Sequence, residues 1–491
     1  MSSMFRSLSV KNYRIWFIGA LVSNVGAWMQ ATAQNWVVLT ELSDTNAIAV
    51  GVTMALQFGP QLLLVPFSGA VADRFDRRRV LMITQSLLML LACGLGVLLV
   101  SGVAELWHLY AFALALGIVN AFDTPARQAF VSDLVGNEQL SNAVALNSAS
   151  FNSARLIGPA VAGVLIAIMG SGWVFILNSA SFIAMLIALM LIKVPRAPRQ
   201  VSGRESQGNQ LVAGFKYVVR RHDLVVIFLI VFVIGAFGMN FPVFSSTMAV
   251  EFGRGAGEYG VLSSILAIGS LTGALLVAKR PAARLRTVVI AAGGFGMASL
   301  ISALMPTFWS FAVTLVLLGF CTATLLSTAN AFVQTTTDPM VRGRVLSLYF
   351  AILMGGTPLG APIVGAISDA FGARWGLGVA ALSGFIAFAI GLGWLIVERQ
   401  LRVHIGDRGK LTFTHAGRPD VDAAPQPQAE TLTAPLSVLK RGPVILSEPN
   451  SAPQSGALSE GLTGPISILR DETESDPGED TNMPKKGDEE R

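Results

Sequence analysis

The stretch GAVADRFDRRR, residues 69–79, joins two long apolar runs at roughly 48 to 71 and 80 to 101. A helix needs about 20 apolar residues to cross the hydrocarbon layer of a bilayer. The stretch therefore reads as a tight basic turn between two membrane spans. Gly69 lets helices approach closely, and Arg74, Arg77, Arg78 and Arg79 supply the positive charge of a loop kept on the cytoplasmic side. Asp73 has no use in setting orientation. Its carboxylate suits a neighbouring helix N-terminus or an arginine, in a contact made only when the inner ends of the spans come together. Topogenic charge alone is one reading and a gate is the other; the acid, with a glycine four residues before it, favours the gate.

Outward from this turn, the same alternation of apolar run and charged turn fills most of the chain. Of 491 residues, 53% are hydrophobic and 13% charged, against roughly a quarter charged in soluble domains. Spans are expected at roughly 15 to 39, 48 to 71, 80 to 101, 105 to 125, 140 to 168 and 172 to 193. Six more follow at 223 to 249, 259 to 278, 287 to 305, 308 to 331, 345 to 368 and 375 to 397. The first run holds Gln30 and Gln34 and has no small-residue cleavage site after it, so it reads as an uncleaved span and not as a secretory signal. The expected fold class is an all-α membrane protein with twelve transmembrane helices.

Basic residues cluster at Arg6, Lys11 and Arg14, at 74–79, from Lys193 to Arg221, at Lys279 to Arg286, at Arg342 and Arg344, and at Arg399 and Arg402, while Arg254 and Arg374 are the only ones in the alternate loops. The positive-inside rule then places both termini in the cytoplasm. The two sets of six spans also echo each other. At a constant offset of 202, Phe130, Val131, Leu146, Gly158, Gly163, Gly170 and Trp173 match Phe332, Val333, Leu348, Gly360, Gly365, Gly372 and Trp375. No gap is needed, which points to a duplicated six-helix unit and two bundles related by pseudo-symmetry.

The expected organisation is a first bundle over 1–194, a cytoplasmic connection over 195–222, a second bundle over 223–402 and a disordered cytoplasmic tail over 403–491. The connection carries Phe215, Val218 and Val219 on one side and Lys216, Arg220 and Arg221 on the other. It reads either as an interfacial helix or as an extension of the seventh span. From 401 onward there are 10 basic against 15 acidic residues, whereas the rest has 25 against 15. The tail is thus acidic and rich in Pro, Gly, Ser and Thr, as disordered segments are. Within it LTAPLSVL at Leu432 recurs as LTGPISIL at Leu462, either as a short partner motif or as drift in an unselected repeat.

Polar residues inside the spans are the candidates for substrate or coupling. Arg155 in the fifth span costs roughly 3 kcal/mol to insert and calls for a cavity or a carboxylate. Asp123, late in the fourth span, is the nearest acid in sequence. Either the pair belongs to the central cavity, with Arg155 binding an anionic group or setting the protonation of Asp123, or it is a structural ion pair near the inner interface. Asn24, Gln30, Gln34, Gln57, Gln61 and Asn240 form the uncharged set. Gln30 with Gln34, and Gln57 with Gln61, share helix faces, which reads as a wet stripe or as hydrogen bonds between helices. In the fifth span Pro159, flanked by Gly158 and Gly163, is expected to act as a pivot or simply to pack tightly.

The residues quoted from 69 to 79 resemble the loop signature of the major facilitator superfamily, with Asp76 replacing the second glycine. That replacement, and the stretch from Asn120 to Gly170, look like the bacterial efflux branch that contains enterobactin exporters. GPAVAG at 158–163 is similar to the antiporter signature of that superfamily, with Ala154 and Ala162 where glycines are usual. The resemblance implies alternating access, export of a drug-like amphipath or a siderophore, protons as the coupling ion, and Gly69, Asp73, Arg74, Arg77, Arg78, Gly158, Pro159 and Gly163 as gating residues. An importer or lipid flippase on the same fold, and a non-transporting sensor or scaffold acting through the tail, are the alternatives.

No GxxxxGK[ST] loop occurs, so this chain supplies no ATP drive. His108, His222, His404 and His415 lie at span ends, in loops or in the tail, and no nucleophile-base-acid set is visible. Cys93 and Cys321 both fall inside apolar runs, which supports neither a disulfide framework nor a metal cluster. The expectation is no enzyme, no cofactor and no nucleic-acid partner, but a monomer in the lipid bilayer with a small-molecule substrate.

Overall fold

A computed structural model describes residues 3–192, 214–280, 282–399, 401–405 and 411–415. The first half comprises α1 (Lys11–Thr40), α2 (Ala47–Arg74), α3 (Arg77–Val100), α4 (Leu106–Leu134), α5 (Asn137–Met169) and α6 (Ser171–Leu191). In the second half α7 spans His222–Glu251, followed by α8 (Ala256–Ala278), α9 (Leu285–Leu304), α10 (Phe308–Thr336), α11 (Arg342–Phe371) and α12 (Ala373–Arg399). Eleven of these helices are long and apolar enough to cross a membrane. The other, α1, has 30 residues and so about 45 Å of length. Its hydropathy is diluted by Ser23, Asn24, Gln30 and Gln34, and all four face a cavity.

The duplication seen at an offset of 202 is visible in the turns. Gly170, between α5 and α6, has φ of 86°, and Gly372, between α11 and α12, has φ of 103°. A single left-handed glycine reverses the chain at both equivalent places, a conformation that costs other residues steric strain. The halves differ at α7, which runs helically to Val233, passes a π-helical turn at Ile234–Gly238 and restarts at Phe241. Pro242, in the first turn of the restarted helix, has no N–H to give to the preceding turn.

Charge divides the ends of the bundle into a basic end, which carries the N-terminus, and an opposite end. At the opposite end the halves are packed together along two seams. In the α2–α11 seam Gly51 lies against the backbone of Ala361 and Pro362, and Gly365 against that of Ala47 and Ile48. In the α5–α8 seam Gly163 lies against Ala256 and Gly257, Gly260 faces the Pro159 carbonyl, and Ser264 Oγ donates to the Leu156 carbonyl at 2.7 Å. Trp36 of α1 stacks on the buried Tyr259 of α8 at 5.9 Å. Between membrane helices, where lipid is as apolar as leucine, such close backbone approach over small residues is the main source of attraction.

The apolar core follows the same division. One cluster takes in Trp36, Val37, Val38 and Leu39 at the opposite end of α1 together with most of the second half. A second, separate cluster holds Tyr13, Trp16, Val80, Leu81, Phe130, Leu134 and Leu189, all from the basic end of the first half. Among the described residues, the halves therefore share a core toward the opposite end, and the cluster at the basic end of the first half is its own. Toward the basic end α5 exposes Ser148, Asn152 and Ser153, polar side chains that mark a wet cleft and not a lipid-facing surface.

The connection is described only from residue 214. A helical stretch over 214–219 ends in a turn, and α7 begins separately at His222, so the two are not one helix. Phe215, Lys216 and Val219 are exposed as expected for an interfacial segment, but Val218 is buried in the core. Where the sequence reading starts its tail at 403, strands Leu401–Ile405 and Leu411–His415 pair antiparallel, Leu401 opposite His415 and Ile405 opposite Leu411. The alternating Leu411, Phe413 and His415 against Thr412 and Thr414 has the two-residue period of a strand. The repeated segments at Leu432 and Leu462 lie outside the described residues.

Candidate functional site

A cavity of about 140 Å³ lies within the first half, lined by α1, α2, α3, α4 and α6. Helix α1 gives it Ser23, Asn24, Ala27, Gln30, Ala31 and Gln34, a stripe at the spacing of one helix face. Gln57 of α2, Leu88 of α3, Leu116, Asn120, Asp123 and Arg127 of α4, and Asn178 and Phe182 of α6 complete the wall. The amide wall is cross-braced: Gln34 Nε2 donates to Gln57 Oε1 at 2.9 Å, and Asn178 Nδ2 donates to Gln30 Oε1 at 2.5 Å. Asn24 Nδ2 reaches Ser150 Oγ at 3.4 Å.

Asp123 is the acid of this site and is 3% exposed. Thr84 Oγ1 and Gln85 Nε2, adjacent on α3, each donate to its Oδ1 at 2.7 Å, while Arg127 Nε donates to Oδ2 at 3.1 Å. The partner expected from sequence was Arg155. The structure gives the role to Arg127, four residues on along α4, because i and i+4 share a helix face. The same rule, applied to Asp123 as it was to the glutamines, would have found Arg127. Its Nη1 is buried and has no hydrogen-bond partner, as do Gln34 Oε1 and Gln85 Oε1. The site thus presents a guanidinium donor and amide acceptors beyond those spent on holding it together.

Arg155 lies apart from this cavity, at the middle of α5, with its guanidinium 5.7 Å from the ring of Trp28. Trp28 meets Phe151 edge-on at 5.6 Å. A cation over an aromatic face is stabilised by the ring quadrupole, by about 2 kcal/mol or more when water is excluded. Gln61 and Asn240 are not in the cavity either. Gln61 donates to the Gln57 carbonyl and Asn240 to the Ala236 carbonyl, each in its own helix, and Asn240 is wholly buried at the break in α7. The sequence-derived set is therefore divided: Asn24, Gln30, Gln34, Gln57 and Asp123 converge, and Gln61, Asn240 and Arg155 do not.

The expected gating residues fall in two places. Gly158, Pro159 and Gly163 line α5 where it meets α1 and α8; a side chain on Gly158 would come within 2.6 Å of Trp28 Cβ, and one on Gly163 within 2.8 Å of the Ala256 carbonyl oxygen. Helix α5 continues unbroken through Pro159. In the 69–79 turn the side chain of Asp73 lies outside the described residues. Arg77 bonds to Asp133 at 2.6 Å and to the Ala129 carbonyl, and Arg78 donates to the carbonyls of Leu189 and Met190. Both arginines therefore tie α3 to the ends of α4 and α6 inside the first half. Arg74 is exposed. Asp76 accepts from the Arg79 N–H at 3.1 Å and so caps α3, which gives the replaced glycine a structural reason.

A family model described as transmembrane secretion effector matches residues 2–403. A staphyloferrin A transporter of Staphylococcus aureus is 27% identical over 400 residues, covering 80% of this chain and 98% of that protein. An enterobactin exporter of Salmonella choleraesuis is 26% identical over 404 residues, covering 79% and 93%. A multidrug efflux pump, Tap, of Mycolicibacterium fortuitum is 26% identical over 367 residues, covering 72% and 88%. Among solved structures, the nucleoside transporter NupG superposes with a TM-score of 0.65 at 11% identity, over 78% of this chain and 99% of that one. A bacterial homologue of the lysosomal transporter Spinster, inward-facing and unoccupied, does so at 0.62 and 15%, over 77% and 96%. These two likenesses speak for the fold alone. With a matching family model over residues 2–403 and a helical fold of two six-helix halves, the chain belongs to the transmembrane secretion effector family of major facilitator transporters, and is a multi-pass membrane carrier of small molecules, not an enzyme.

Proposed function

We propose that the protein exports an amphipathic small molecule, a drug-like compound or a siderophore, from the cytoplasm across the bacterial inner membrane by alternating access coupled to protons. The basic end, with both termini, is the cytoplasmic side, and the protein acts as a monomer. The observation that carries this reading is the polar cavity around Asp123 within the first half, in a fold whose described seams between the halves lie toward the far end, which supports a carrier loading from the cytoplasm. Relatives named as an exporter and as an efflux pump support the outward direction.

Asp123 is the proposed proton carrier. Its ionised form is held by Thr84, Gln85 and Arg127; protonation weakens the bond to Arg127 and frees that guanidinium for an anionic or acceptor group on the substrate. Arg155 and Trp28 form a second contact surface, cation and ring together, suited to a molecule with both a polar and an apolar side. The test is accumulation of a fluorescent amphipathic dye in cells expressing the wild type or Asp123→Asn, with and without a protonophore. Lower dye in wild-type cells, restored by the protonophore and by the substitution, is the expected result. Equal dye in all cells at matched expression rejects the drug-like substrate, and siderophore retention in the same cells then decides whether export occurs at all. Higher dye in wild-type cells means import.

A further inference from the structure

Helix α2 begins at Ala47, and its own cap, Asn46, accepts only from the Ala49 N–H, at 3.1 Å. The first two N–H groups are taken by a residue of the other half. Asp369, near the end of α11, accepts from Ala47 N–H through Oδ1 at 2.7 Å and from Ile48 N–H through Oδ2 at 2.9 Å. A carboxylate that takes two backbone N–H groups at a helix N-terminus gains both from the charge-assisted bonds and from the helix dipole. Because donor and acceptor sit on different halves, the contact exists only while the far ends of α2 and α11 are together.

Two further observations single Asp369 out. At the offset of 202, Gly365 of this seam corresponds to Gly163 of the α5–α8 seam, but Asp369 corresponds to Ala167. There the start of α8 is capped from within, the Gly255 N–H donating to Glu258 Oε2 at 3.2 Å. Among the described residues, a carboxylate of one half caps a helix start of the other in the α2–α11 seam, while the α5–α8 seam carries the Ser264 hydroxyl bond in place of such a cap. In addition, the end of α11 repeats the end of α2: Gly365, Ala366, Asp369 and Phe371 have the spacing of Gly69, Ala70, Asp73 and Phe75. The two copies lie at opposite ends of the bundle, on helices that pack against each other. The start of α11 has no side-chain cap of its own.

We propose that Asp369 is the latch of the far-side gate: its carboxylate, bound to the start of α2, holds the carrier closed on the side away from the basic end, as the counterpart on α11 of the acid in the 69–79 turn. The inference rests on the alternating-access reading above, and its test needs no substrate. The full chain, with Cys93 and Cys321 replaced by Ala, is labelled with spin probes at Val103→Cys and Pro306→Cys, far-side turns of the two halves, and reconstituted in lipid nanodiscs. Electron–electron distance measurement then reads the proportion of molecules in which the far ends are apart. The wild type is expected to show two distances with the shorter dominant. Asp369→Ala should raise the ratio of long to short about tenfold, and Asp369→Asn, which keeps one acceptor, by less, in line with two bonds to a charged group. If the alanine variant does not fold, the isosteric asparagine carries the test. A ratio within about twofold of wild type in the folded variants overturns the latch and leaves alternating access standing; a single unchanging distance in the wild type overturns both.

Discussion

Arg127 is the residue on which the proposed site turns. It is bonded to Asp123 through Nε, while its Nη1 lies buried without a partner. A carboxylate as enclosed as Asp123 keeps its charge at moderate cost only while its donors stay in place, and each bond to an ionised group contributes about 1.5–3 kcal/mol. Arg127→Gln should therefore lower the melting temperature of the purified protein and reduce efflux at least about tenfold. Adding Asp123→Asn should recover most of the lost stability but none of the transport, because the double variant no longer buries an unpaired charge. A melting curve for the two single variants and the double one checks this; strictly additive losses would mean that the pair is not coupled. Arg127→Lys is expected to keep the fold but transport poorly, since an ammonium lacks the planar fork that bonds Asp123 with one edge and leaves another free.

At the scale of the helices, the seams determine how the halves move, and glycine sets how closely they approach. A side chain on Gly163 would meet the backbone of Ala256 and Gly257 on α8, whereas one on Gly94 of α3 meets nothing within 4 Å. Gly163→Leu is expected to hold the far ends apart and cut dye efflux at least about tenfold, overpacking being costly where backbone faces backbone. Gly94→Leu, with the same added volume, should leave efflux unchanged at matched expression. Much of this scale is legible in the sequence. Apolar runs and charge clusters set the helices, and the matched pairs Gly163 and Gly365, Gly170 and Gly372 mark equivalent seams and turns. Other features are not legible, because a one-dimensional pattern says which residues share a face but not which faces meet. Arg155 and Asp123 are both charges placed within consecutive spans, yet rotation of α5 sends Arg155 to Trp28. Gln57 and Gln61 share a face of α2, yet only Gln57 reaches the cavity. The break in α7 follows from Pro242 and the glycines before it, a local signal outweighed by the length of the apolar run.

For the whole molecule, the remaining question is whether the acidic tail takes part in transport. The family match ends at residue 403, within the first of two paired strands, the second of which ends at His415. The chain from 401 onward carries more acid than base while the rest carries more base than acid, so the two carry charges that attract at low salt. At physiological ionic strength that attraction is screened beyond about 8 Å. Among the described residues, the cavity and the two seams are built from the chain between Ser23 and Asp369. A carrier built this way should work without the tail. Deleting residues 416–491, which spares the hairpin, is expected to leave dye efflux within about twofold of the full chain at equal membrane expression, since surface charges at such range couple weakly. A scaffold acting through its tail predicts the reverse, loss of function with the cavity intact. Measuring efflux for the truncated chain and for Asp123→Asn in the same cells separates the two: the carrier loses activity only with the cavity substitution, the scaffold only with the deletion.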